Sequence, residues 1–80
     1  MDTISVIRQR ILQLCSERDI TINKLANLSA ISPSSLKGIL YGKSKNPKTL
    51  TIKILCDGLD ITLGEFFSTP EFDALEQEIK

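Results

Sequence analysis

Apolar side chains recur at helical spacing along most of the chain. Ile4, Ile7, Ile11, Leu14 and Cys15 form one stripe, which predicts a helix from about Thr3 to Arg18 with Asp2 or Thr3 as its cap. Leu25, Ala26 and Leu28 give a second, shorter apolar side, and Leu36, Ile39 and Leu40 a third. Thr21 stands where a hydroxyl can cap the second helix. Ser32, followed by Pro33 at the first helical position, does the same for the third. The link Ser29-Ala30-Ile31 is too short for antiparallel packing, so the two helices must cross as a helix-turn-helix.

Beyond Gly42 the pattern lapses into the loop Lys43-Ser44-Lys45-Asn46-Pro47-Lys48, rich in lysine and turn formers. A fourth helix is expected from Lys48 or Thr49 to Asp57. Ile52, Leu55, Cys56 and Leu59 mark its core side, Leu50 and Ile54 lie off that stripe, and Gly58 fits its end. Thr62 and Glu65 form a capping box for a short fifth helix, and Phe66 or Phe67 should plug the core. Ser68 with Glu71, and Pro70 near the start, announce a last short amphipathic helix carrying Phe72, Leu75 and Ile79. The expected organisation is all-α, with a helix-turn-helix domain over 1–69 and a C-terminal helix or tail over 70–80.

At 80 residues the chain buries only about 60–65% of its unfolded surface, so a partner subunit would help it. No apolar run approaches the roughly 20 residues of a membrane span, and the N-terminal residues lack the layout of a signal peptide. A cytoplasmic location is expected. Cys15 and Cys56 both fall in apolar stripes and read as reduced core thiols. With no histidine and no closely spaced cysteine pair, no metal site is expected. No base stands near a serine or cysteine, and no glycine-rich phosphate loop exists, so neither catalytic residues nor a cofactor is expected.

Net charge is zero, but its distribution is uneven. Residues 21–53 hold six lysines and no acid, whereas residues 54–80 hold seven acids against Lys80 alone. A basic footprint with an acidic back suits a protein that grips nucleic acid on one face.

With these segments in order, Ile4 to Phe67 resembles the Xre-type, lambda-repressor-like DNA-binding domains. The resemblance implies a five-helix fold, here with the short C-terminal amphipathic helix added. It implies a cytoplasmic regulator of transcription, in all expectation a repressor, that binds double-stranded DNA as a homodimer and needs no small-molecule ligand.

The second motif helix, about Pro33 to Tyr41, would lie in the major groove. Its side away from Leu36, Ile39 and Leu40 carries Ser34, Ser35, Lys37, Gly38 and Tyr41 as base readers. Relatives use the following loop on the DNA backbone, which assigns Lys43, Lys45, Asn46 and Lys48 to phosphates. Thr21, Asn23 and Ser32, at the starts of the two motif helices, join them.

Four positions depart from the family pattern. Ala30 stands where glycine often takes a left-handed conformation, and Ile22 where a glutamine often anchors phosphate and reading helix together. Cys15 and Leu40 replace an Arg–Glu ion pair, an exchange that is tolerated when both partners change at once. The competing expectation is a protein-interaction module that keeps this fold but has lost specific DNA binding.

Overall fold

Four of the helices start where a side chain caps them. The computed structural model describes residues 2–42 and 44–79, and among them every regular element is a helix. These are α1 (Thr3–Glu17), α2 (Ile22–Leu28), α3 (Pro33–Tyr41), α4 (Thr49–Leu59), α5 (Leu63–Phe67) and α6 (Pro70–Asp73). Asp2 accepts from the Ser5 amide at 3.0 Å, Thr21 from Lys24 at 3.0 Å and Ser32 from Ser35 at 3.1 Å. The capping box at α5 is complete: Glu65 N donates to Thr62 Oγ1, and Thr62 N to Glu65 Oε1.

Three helices stop by one device. Asp19, Ala30 and Asp60, just past α1, α2 and α4, have φ of 53°, 55° and 57°. The isoleucine after each donates its amide back to the helix: Ile20 to Cys15 O, Ile31 to Ala26 O and Ile61 to Cys56 O, all at 3.0 Å. Each isoleucine also packs against the core, and the next residue caps a new helix at Thr21, Ser32 and Thr62. The expected left-handed turn at Ala30 is therefore present, as one of three equivalent corners. These three-residue units are too short to register as a repeat in the sequence.

The helices close over one core whose largest fully buried side chains are Phe66, Ile11, Leu25, Leu36, Leu55 and Cys56. Full burial of one such aliphatic or aromatic side chain stabilises by about 1.5–3 kcal/mol. Cys15 and Leu40 are both buried in this cluster as free thiol and leucine, in keeping with their joint replacement of an ion pair. Burial pushes both thiols above their ordinary pKa.

Two expectations need correction. α4 runs on to Leu59, so Gly58 lies inside it, and Asp60 takes the left-handed position. A Cβ at Gly58 would stand 2.2 Å from Ser29 Oγ, 3.1 Å from Ser29 N and 3.2 Å from Leu28 C. Gly58 thus lets α4 cross the end of α2 at close range.

The last helix is also shorter than its apolar spacing implies. It stops at Asp73, with Thr69 rather than Ser68 at its N-cap and no side-chain cap bond. Extending it would bring Glu76 and Glu78 to a helix C-terminus, where negative charge is unfavourable. Phe72 instead packs against the core, its ring 4.9 Å from that of Phe67. Further on, Thr3 Oγ1 donates to Glu78 Oε1 at 2.7 Å, tying the tail to the start of α1.

Candidate nucleic-acid interface

α3 has a buried side and an open one. Leu36, Ile39 and Leu40 enter the core, while Ser34, Ser35, Lys37 and Tyr41 are exposed and Gly38 is half-buried between them. Tyr41 is the most prominent, a large ring 65% exposed at the end of the helix. Ser35 is drawn into the cap: the Ser32 hydroxyl accepts from its amide and donates to its Oγ at 2.8 Å. Beyond the backbone of α3 itself, no heavy atom of the described residues lies within 4 Å of where a Cβ at Gly38 would stand. No packing within the chain demands a glycine there, although it weakens a helix interior by about 1 kcal/mol.

Beyond α3, Ser44, Lys45, Asn46 and Lys48 are exposed, and Lys43 lies outside the described residues. Thr21, Asn23 and Lys24 are exposed around the start of α2. Of the lysines in this acid-free stretch, Lys53 is paired with Asp57 one turn along α4. Ile22 is half-buried against the core, which accounts for an apolar residue where relatives carry glutamine. Asp2 and Glu78 border the same shallow hollow as Lys45 and Asn46, an acidic neighbourhood that the sequence order gave no reason to expect.

The basic groups of α1 face inward to carbonyls. Arg8 donates from Nε to Ile39 O at 2.7 Å, and from Nη2 to Gly42 O at 3.0 Å and Ser44 O at 2.9 Å. Arg10 donates from Nε to Phe66 O at 2.8 Å and from Nη2 to Glu65 O at 2.8 Å, with Nη1 on Gln13. Each guanidinium thus satisfies carbonyls that a helix end leaves without internal donors.

Over residues 10–71 the chain matches the model of the Cro/C1-type HTH DNA-binding domain. It belongs to that family. The crystal structure of the prophage Lp1 protein 11 is similar to it, with a TM-score of 0.81 and 28% identity over 94% of this chain and 100% of that one. No curated protein matches it. As a Cro/C1-type domain it is an all-α, DNA-binding helix-turn-helix unit, with α2 and α3 as the motif. Among the described residues no helix is long and apolar enough to cross a membrane.

Within this Cro/C1-type domain, the described residues assigned from the sequence fall into three groups: the open side of α3, the loop that follows it with Lys45, Asn46 and Lys48, and the starts of the two motif helices with Thr21, Asn23 and Ser32. Arg8 was missed. Residues 1–20 hold three arginines against three acids, and nothing in the order of residues links position 8 to position 39. The lack of any basic residue in the last turn of α3 gives no signal in the sequence, because none of the six helices has one.

Proposed function

We propose that this chain is a sequence-specific regulator of transcription, of repressor type, that reads the major groove of double-stranded DNA with α3. The observation that carries the reading is the open side of α3. It offers donors at Ser34, Ser35, Lys37 and Tyr41, a gap at Gly38 that no other described part of the chain fills, and the lysine loop directly after it. Lys37 donates to guanine O6 and N7, the serines bond to base edges, and Gly38 admits the DNA closely. Lys43, Lys45, Asn46 and Lys48, with Thr21, Asn23 and Ser32 at the helix starts, hold phosphates.

The working form on this reading is a cytoplasmic homodimer that presents two α3 helices to half-sites about one helical turn apart. Leu50 and Ile79, 68% and 85% exposed, supply apolar surface in the C-terminal part for the second copy. Phe72, committed to its own subunit's core, contributes little to that surface.

Selection of bound duplexes from a random pool, followed by anisotropy titrations over a range of salt, tests the proposal. One loop lysine per phosphate gives about six neutralised phosphates per dimer and a log–log salt slope of roughly −5. Binding that ignores salt, or a selection that returns no motif, would instead favour the interaction-module reading. An intact protein that sediments as a monomer both free and on its selected site would end the dimer part.

A further inference from the structure

We infer that Arg8 is a positioning residue for DNA binding: it fixes the phosphate-facing loop to the end of the reading helix without touching DNA itself. The inference rests on the reading proposed above. α3 has no basic side chain in its last turn, and α1 supplies the missing cation. The Ile39, Gly42 and Ser44 carbonyls converge on one guanidinium at 2.7, 3.0 and 2.9 Å. They belong to the last turn of α3, its C-cap and the loop, so one planar group sets the angle at which the chain leaves the helix.

Gly42 completes the device. Its backbone is extended, its amide donates to Gly38 O at 3.1 Å, and a Cβ would stand 2.6 Å from that same oxygen. Only a residue without a side chain turns the chain out here and still delivers its carbonyl to Arg8. A guanidinium carries five N–H donors. Three bonds through Nε and Nη2 leave Arg8 with Nη1 alone, a poor remainder for gripping a phosphate bidentately.

Arg8→Lys separates position from charge. The ammonium keeps the positive charge but lacks the planar fork that reaches three carbonyls at once. Salt titrations on the selected duplex would compare wild type, Arg8→Lys, the pair Lys45→Ala/Lys48→Ala, and all three changes together, with thermal melts alongside. Arg8→Lys should bind about tenfold more weakly at low salt, with its log–log slope shallower by about 1 to 3 although no charge was lost. Added to the loop double variant it should do little more, because both act through one set of contacts. The sequence preference from selection should stay that of wild type.

The inference is overturned if Arg8→Lys keeps the wild-type slope, whether or not it melts earlier. It is equally overturned if its effect adds in full to that of the lysine changes. Should Arg8→Lys not fold, Gly42→Ala disturbs the same exit from the other side and must flatten the slope in its place; an unchanged slope there counts against the clamp. A wild-type protein whose binding ignores salt removes the proposed function itself, and the role of Arg8 with it.

Discussion

Gly38 and Gly58 both lie inside helices, where glycine is a weak choice, and their surroundings are opposite. At Gly58 the end of α2 presses so close that a Cβ would meet Ser29 and Leu28 at 2.2–3.2 Å. At Gly38 a Cβ would meet nothing within 4 Å. One glycine is required by the chain's own packing. The other has no reason among the described residues, and on the proposed reading its reason is the DNA. Neither takes a positive φ; among the described residues the left-handed positions belong to Asp19, Ala30 and Asp60. On that reading this domain uses glycine for close approach, to its own chain at Gly58 and to DNA at Gly38, rather than for backbone freedom.

The largest expected effect is at the crowded site. Gly58→Ala must force α4 away from α2 and should destabilise the fold by about 1–3 kcal/mol, read from denaturant midpoints. A variant as stable as wild type would show that the crossing can relax. Adding Ser29→Ala removes the atom nearest to the new Cβ, and with it a buried hydroxyl that has no partner among the described residues. The double variant should recover part of the loss but not all, because the Ser29 N and Leu28 C contacts at 3.1 and 3.2 Å remain.

Gly38→Ala should do the reverse of Gly58→Ala. It stabilises the free protein by about 1 kcal/mol, a rise of roughly 4–8 °C in melting temperature, while weakening binding to the selected duplex about tenfold. A stabilised protein with unchanged DNA affinity would break the comparison, leaving Gly38 with no reason on either side.

The smallest effect tests the third use of glycine, the one this chain declines. Ala30→Gly relieves a left-handed alanine, worth about 1–2 kcal/mol, against glycine's greater freedom when unfolded. The net gain should be about 0.5 kcal/mol in chemical denaturation, with DNA binding untouched. A loss of stability would mean that the Ala30 methyl contributes packing.

Acid should act locally as well. The Ser5 hydroxyl, and after it the Ser5 amide, hold the Asp2 carboxyl below its ordinary value of 3.8. The cap's contribution is present above that value and fades as pH falls through the lower folded one. Asp2→Asn should remove this part of the acid response, seen as a flatter dependence of melting temperature on pH.

Much of the candidate site was legible from short-range rules. Ser32-Pro33 marks the start of α3, and Leu36, Ile39 and Leu40 mark its inner side, so the outward set from Ser34 to Tyr41 follows by subtraction. The three corners, Asp19-Ile20-Thr21, Ala30-Ile31-Ser32 and Asp60-Ile61-Thr62, could have been read together, because left-handed residue, isoleucine plug and hydroxyl cap recur in the same order. Arg8 and Arg10 were not legible: an arginine's partner is chosen by what lies within reach after folding. The short α6 was not legible either, since Phe72, Leu75 and Ile79 keep helical spacing although the helix stops at Asp73.

The sequence alone determined where α1 to α5 begin, which side of each turns inward, and that α2 and α3 cross as a helix-turn-helix. Caps and apolar stripes act within four or so residues, so their consequences can be read in order along the chain. Tertiary structure decided that Gly58 is a crossing point, that Arg8 holds the exit of α3, and that Glu78 returns to Thr3. Each of these depends on a distance between residues far apart in sequence. Burial, close contact and hydrogen-bond partners at such range exist only once the helices have packed.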